Sequence, residues 1–227
     1  MADGSDLAHD NARQRLLERV LAEVRQTGDL TGCHALSAGV LAALQDVPRH
    51  CFVPPEQFDL AYVDRPLPIG RGQTISQPFI VALMSELLQP NPQAVVLEIG
   101  TGSGYQSAVL SRLVQQVYSV ERIAELAERA ARRLSELGYR NIEIRNADGC
   151  SGWEEKAPFD AIMVTAAAVD VPPALVRQLK PGGRLVIPVG EPNRSQMLRV
   201  LQKDAQNRIV TRDVLPVVFV PLVQDCA

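Results

Sequence analysis

The four cysteines of this chain, Cys33, Cys51, Cys150 and Cys226, are scattered, with no C-x-x-C and no paired spacing. That excludes a disulfide framework or zinc ribbon read from spacing, and it is the pattern of free thiols in a reducing compartment. The three histidines, His9, His34 and His50, also lack ligand spacing, so no metal is expected. No apolar stretch approaches the ~20 residues of a membrane span. The first ten residues are acidic and polar, without the basic start and apolar run of a signal peptide. The chain is therefore expected to be cytoplasmic, away from any membrane. An excess of positive charge is missing too: the net charge is −3, which disfavours general nucleic-acid binding.

Two nucleotide motifs are absent as well. The phosphate loop G-x-x-x-x-G-K-[ST] does not occur, which removes the ordinary nucleoside-triphosphate reading. A dinucleotide fingerprint, G-x-G-x-x-G, would need its third glycine at position 105, where the residue is Tyr105.

What is present is Val95-Val96-Leu97-Glu98-Ile99-Gly100-Thr101-Gly102-Ser103-Gly104-Tyr105, an apolar run that breaks into a glycine-dense turn before helical spacing begins. A buried strand, a tight turn and a helix N-terminus give that order. Downstream the rhythm is strand, helix, strand, helix. Strands are expected over 94–99, 116–120, 141–146, 159–165 and 184–189, and helices over 106–113, 123–137 and 172–179. Gly138 is the expected C′ residue of the second helix, and 180–183 a turn. This alternation predicts an α/β fold, a doubly wound and mostly parallel Rossmann-like sheet. Beyond Gly190 the helices disappear, and 195–202 and 209–222 read as an antiparallel end to the sheet.

The first 90 residues read differently. Residues 1–10 are expected as a disordered start, and residues 11–90 as a helical and looped substrate-side region forming one compact unit with the cofactor-binding core of 91–227. Leu16, Leu17, Val20, Leu21 and Val24 share one helical face over 11–25. A short helix over 37–45 has Ser37 as its N-cap. The proline-rich stretch 47–55 is too apolar for an idle linker and predicts a packed connector. Residues 61–77 read as a long irregular segment with a functional part, running into a helix over 78–89.

Three carboxylates fall at successive strand ends. Glu98 precedes the first glycine, Glu121 closes the second strand about 20 residues beyond the turn, where a ribose hydroxyl acceptor belongs, and Asp148-Gly149 follows the third. With no basic partner in these motifs, they suit a cofactor that lacks phosphates and carries a sulfonium and an amino group, S-adenosylmethionine. Singly, each has a plainer reading: a strand-end charge, a helix start and a turn.

The segment Leu67-Pro68-Ile69-Gly70-Arg71-Gly72-Gln73-Thr74-Ile75-Ser76-Gln77-Pro78, together with the glycine turn, resembles the protein-L-isoaspartate O-methyltransferases. Val47-Pro48-Arg49-His50, Val120-Glu121-Arg122, Asp148-Gly149 with Trp153, Val164-Thr165-Ala166-Ala167-Ala168, Leu179-Lys180-Pro181-Gly182-Gly183-Arg184 and Phe219-Val220-Pro221-Leu222 also match. The resemblance implies methyl transfer from S-adenosyl-L-methionine to the free α-carboxylate of L-isoaspartyl residues, with D-aspartyl residues as further candidates. The partners implied are age-damaged proteins and peptides; the charge balance and the lack of an apolar span leave no nucleic acid and no membrane among the expected partners, and a monomer is expected. It aligns the family's active-site serine with Ser76, whose residue-level alternative is a helix N-cap. Thr74, Ile75, Glu98, Gly100, Thr101, Gly102, Glu121, Asp148 and Gly149 are the cofactor-side candidates, and Gln196 is a further candidate for closing the site. A small-molecule or nucleic-acid methyltransferase of the same fold, or a non-catalytic cofactor-binding protein, is the alternative.

Overall fold

Buried Leu16, Leu17, Val20 and Val24 line one side of α1 (Gly4–Gln26), as their spacing predicts. The computed structural model describes residues 4–192 and 194–223, so residues 1–3 of the expected disordered start, and Cys226, lie outside the described residues. Residues 4–10 are helical, which corrects that expectation. A helix already nucleated by its buried turns extends backward at one hydrogen bond per residue fixed. His9 is held besides by stacking on His50, with ring centroids 4.1 Å apart. One further turn, α2 (Gly28–Thr31), precedes α3 (Ala38–Asp46), where the Ser37 hydroxyl accepts the Val40 N–H. The proline-rich connector packs as two 3-10 turns, Arg49–Phe52 and Pro55–Leu60, with Val47, Phe52 and Val53 buried.

The segment expected to be irregular contains an antiparallel hairpin, β1 (Leu67–Gly70) and β2 (Gln73–Ile75). Leu67, Ile69 and Ile75 are buried while Pro68 and Gly70 are exposed. Positive φ at Gly70, Arg71 and Gly72 makes the turn. Four residues of alternation are too few to stand out from loop sequence. Next, α4 (Pro78–Leu88) is buried on nearly every side.

The remaining elements are β3 (Val95–Ile99), α5 (Tyr105–Ser111), β4 (Gln116–Glu121), α6 (Ala124–Glu136), β5 (Ile142–Asn146), β6 (Phe159–Val164), α7 (Pro173–Gln178), β7 (Leu179–Val189), β8 (Gln196–Lys203) and β9 (Ile209–Val217). They form one sheet in the order β5-β4-β3-β6-β7-β8-β9, parallel from β5 to β7 and antiparallel at β8 and β9. The expected turn at 180–183 lies inside β7, as the irregularity between the pairs Phe159↔Leu179 and Ala161↔Arg184. The last strand ends at Val217, short of the expected 222, and Pro221 instead bridges to Ala167 beyond the end of β6. Gly138 does terminate α6: at φ +82°, its N–H and that of Tyr139 bond to the carbonyls of Ser135 and Leu134.

Alternation along the central strands divides the core. Val96, Ala161, Met163 and Val186 join the cluster containing residues of α4, α5 and α6. Their neighbours Leu97, Ile162, Val164, Leu185 and Ile187 pack on the other face with Leu175 of α7 and Trp153. The first cluster runs from Leu16 to Val217, so the N-terminal helices and the sheet share one core. Among the described residues, no helix is long and apolar enough to cross a membrane, and no group of three or more His, Cys, Asp or Glu side chains is placed to hold a metal.

The chain builds β3, β4 and β5 outward in one direction and then crosses to place β6 on the other side of β3. Connections after β3 and β6 therefore leave in opposite directions, opening a crevice at their carboxyl ends, where open α/β sheets bind ligands.

Candidate active site

Both strands flanking that crevice end in residues that define its floor. After Ile99 the chain turns through Gly100, with φ +97°. A side chain on Gly100 would place its Cβ 2.5 Å from Thr165 Oγ1, just past β6. The Thr165 hydroxyl reaches the carbonyls of Gly100 at 2.6 Å and Ile99 at 3.1 Å, so the first glycine is needed for both its backbone angle and this close approach. Thr101 Oγ1 pairs with Ser119 Oγ at 2.6 Å, fixing the turn to β4. Gly102 donates its N–H to Glu121 Oε2 at 2.8 Å. The other Glu121 oxygen accepts the Ile123 N–H at 2.9 Å, so this carboxylate also organises the entry to α6.

These groups line a cleft of about 680 Å³, part of it open to solvent. Thr74, Ile75, Ser76, Gly100, Thr101, Gly102, Glu121 and Gly149 stand on its wall. Two of the expected residues do not. Asp148 Oδ1 accepts the Cys150 N–H at 2.9 Å and caps the 3-10 turn Gly149–Ser151, leaving Gly149 to face the cleft.

Glu98 is fully buried on the α5 side of β3. Its Oε2 accepts from the hydroxyls of Ser107 and of Ser119, the latter at 2.6 Å, and its Oε1 has no partner among protein atoms. Burial pushes this carboxyl up to about 7, against the pull of the two serine hydroxyls and with a further contribution from the charge of Glu121. Glu98 is thus a group whose ionisation a nearby cation would control.

Ser76 precedes α4, but it does not cap it. The residue at the N-cap is Gln77, which makes no side-chain cap bond. Asp64 does that work from another segment: Oδ1 accepts the Phe79 N–H at 2.9 Å and Oδ2 accepts Gln77 Nε2 at 3.1 Å. The Ser76 carbonyl accepts from Arg49 Nη2 at 2.7 Å.

A second cavity of about 980 Å³, part of it open to solvent, adjoins the first, and Thr74, Ser76, Thr165 and Val220 line both. Its walls are mostly apolar, from Pro66, Phe79, Ile80 and residues 215–220. Glu23 of α1 also lines it. Burial, followed by the hydrogen bond and charge of Asp64, pushes the Glu23 carboxyl up to about 7. Gln196 lies under the far side: Nε2 donates to the carbonyls of Glu191 and Arg194, and Oε1 accepts the Phe219 N–H at 2.9 Å, which anchors the chain leading to Val220.

Among the residues on the first cavity's wall that sequence reasoning did not single out for the site are Thr165, Tyr105, Val220 and Leu222. Thr165 carried a usable signal, since it directly follows the strand at the switch point. Val220 and Leu222 reach the site only through the bridge of Pro221 to Ala167, a contact that local pattern does not encode.

The sequence model of the family described as protein-L-isoaspartate(D-aspartate) O-methyltransferase matches residues 20–227. The chain is 51% identical over 218 residues to protein-L-isoaspartate O-methyltransferase 2 of Syntrophobacter fumaroxidans, covering 96% of this chain and 88% of that protein. It is 53% identical over 207 residues to a protein of the same name from a Polaromonas species, covering 91% and 98%. A solved protein-L-isoaspartate O-methyltransferase superposes with a TM-score of 0.78 at 30% identity, covering 90% of this chain and 65% of that longer one. A Plasmodium falciparum structure in complex with S-adenosyl-L-homocysteine shares the fold at a TM-score of 0.74 and 24% identity, covering 91% and 98%. The chain belongs to the protein-L-isoaspartate(D-aspartate) O-methyltransferase family.

Proposed function

We infer that this chain transfers a methyl group from S-adenosyl-L-methionine to the free α-carboxylate of L-isoaspartyl residues in damaged proteins. The methyl ester formed can close to a succinimide, which reopens partly to normal aspartate, so the reaction begins a repair. Beyond family membership, one observation carries the reading: Ser76 and Thr165 stand on a wall common to a glycine-floored cleft and a larger apolar cavity. Two adjoining sites with a shared wall suit transfer of a small group from one ligand to another.

The residues present fit this cofactor. The glycine backbone leaves room for close approach, and Glu121 offers a carboxylate to ribose hydroxyls. We assign Gly100, Thr101 and Gly102 to the methionine part, Glu121 to the ribose and Gly149 to the adenine; the expected Glu98 and Asp148 support the cleft from behind its wall, Glu98 through Ser119 and Asp148 through the turn that presents Gly149. Thr74 and Ile75 carry the loop that brings Ser76 to the cofactor. When bound, the sulfonium supplies an electrophilic methyl group.

The substrate carboxylate has a reference pKa of about 4 and is already ionised at neutral pH. No general base is required of the chain. Its tasks are to hold one carboxylate oxygen about 3–3.5 Å from the reacting carbon and to exclude water. Ser76 positions that carboxylate or the loop around it and is not itself methylated. The apolar wall of Pro66, Phe79, Ile80 and residues 215–220 removes water from the approach, which strengthens attraction between the carboxylate and a cation. In this reading residues 11–90 form the substrate side and 91–227 the cofactor side of one unit.

The test is labelled methyl transfer to an isoaspartyl peptide, with the same peptide carrying normal aspartate as control. Label entering only the isoaspartyl peptide supports the assignment, and transfer to neither peptide would end it.

A further inference from the structure

Arg49 is 0% exposed, and its Nε and Nη2 groups donate to main-chain carbonyls. Nε donates to the Ala61 carbonyl at 3.0 Å. Nη2 donates to Ser76 at 2.7 Å and, weakly, to Arg65 at 3.5 Å. Nη1 has no hydrogen-bond partner. The guanidinium carbon lies 4.9 Å from the centroid of the Tyr105 ring, and Tyr105 is the residue at which α5 begins, directly after Gly104. Burial pushes this guanidinium below the usual arginine range, opposed by the field of Tyr105 and Asp64.

A buried cation held by carbonyls and a ring is a costly way to fill space. An apolar replacement would spare the desolvation of the charge but leave the Ala61 and Ser76 carbonyls without this donor. What the guanidinium provides is geometry, because its planar fork addresses several acceptors at fixed angles. Here those acceptors join the connector before β1 to the Ser76 carbonyl, while its face rests on the first residue after the glycine turn. Asp64 holds Gln77 and Phe79 from the other direction. Ser76 is therefore held through its own carbonyl by Arg49 and, through the residues that follow it, by Asp64, and Arg49 is the link that also touches the residue after the cofactor-side turn.

We propose that Arg49 is a positioning residue for methyl transfer, setting the Ser76 loop in register with the glycine turn through the Ser76 carbonyl and the Tyr105 ring. The proposal rests on the functional reading above. It touches neither substrate nor cofactor, so its signature is a fall in turnover without loss of cofactor binding.

The experiment compares Arg49→Met and Arg49→Lys with wild type. Displacing a reacting group by an ångström can cost about 100-fold in rate. Arg49→Met is expected to fold, to unfold at a somewhat lower denaturant midpoint because the Ala61 and Ser76 carbonyls lose a donor, and to bind the cofactor with unchanged affinity by calorimetry. Its kcat on an isoaspartyl peptide should fall by about tenfold or more. Arg49→Lys, which keeps the charge but loses the fork, should recover only part of that. Amide hydrogen exchange at 73–77 should quicken in Arg49→Met while exchange in β3 and β4 stays unchanged.

A folded Arg49→Met with wild-type kcat and unchanged exchange would overturn the proposal. So would an Arg49→Met that fails to fold alongside a folded, fully active Arg49→Lys, because the arginine would then be structural only. A wild-type chain without activity on the peptide would instead defeat the functional reading, and the exchange comparison would still decide whether Arg49 fixes the loop.

Discussion

Glu98 gives the molecule a pH dependence with an unusual sign. Its carboxyl stands at 4.5 in the absence of the fold and at about 7 within it. Below 4.5 both states hold the proton and pH has no leverage. Between 4.5 and about 7 the unfolded chain releases the proton while the folded chain retains it, so stability falls as pH rises. Above 7 the loss is complete. At ~1.4 kcal/mol per pKa unit, a shift of this size corresponds to about 3 kcal/mol. The carboxyl is fully buried, so solvent does not screen that figure away. Glu98→Gln removes the titration and keeps an oxygen for the hydroxyls of Ser107 and Ser119. The check is urea unfolding of both proteins without cofactor at intervals from pH 5 to pH 8. The stability of Glu98→Gln relative to wild type should climb by about 2–3 kcal/mol across that range. Because every other titrating group is common to both proteins, the difference isolates Glu98. Parallel profiles would refute the reasoning.

Three further outcomes follow from the geometry. Ser76→Ala should cut kcat on an isoaspartyl peptide about tenfold or more at saturating cofactor, with no change in unfolding midpoint, because Asp64 and not Ser76 caps α4. Unchanged turnover would remove Ser76 from the reaction. Glu121→Ala should weaken cofactor binding tenfold or more by calorimetry, as loss of a charged hydrogen bond costs about 1.5–3 kcal/mol; unchanged affinity would take Glu121 out of the binding site. Gly100→Ala should lower stability by about 1–3 kcal/mol in denaturant unfolding, since its Cβ would meet Thr165 Oγ1 at 2.5 Å from a backbone at φ +97°.

Much of the fold was legible because its signals are local. The strand, glycine turn and helix from Val95 onward, the Ser37 cap and the Gly138 terminator each depend on residues within a few positions of one another. The hairpin of β1 and β2 was not legible, since its alternation is brief and the glycines either side of Arg71 mark a bend in a loop as readily as in a hairpin. The site divided along the same line. That Glu98, Glu121 and Asp148 come at strand ends is a matter of spacing. Which of them faces the cleft depends on strand parity and on turn bonds. Glu98 shares a face of β3 with Val96 and so points toward α5 and Ser107. Asp148 is drawn back onto its own turn by the Cys150 N–H.

The role of Ser76 shows why such a site needs the whole chain. A serine just before a helix has two competing uses for one hydroxyl, and local sequence favours the cap. Asp64 settles the competition by reaching back from a segment with no helical pattern and bonding the Phe79 N–H itself. The hydroxyl is thereby spared from capping, while the carbonyl of the same residue is taken by Arg49. Neither partner belongs to the sheet, yet the wall that Ser76 enters is completed by Thr165 from the end of β6 and Val220 from beyond β9. Because one core runs from Leu16 to Val217, the N-terminal segments that hold Ser76 are as firmly seated as the strands that hold the cofactor turn. A reaction that needs placement rather than a strong base is served by that arrangement, in which the two sides of the transfer are fixed by a single packed interior.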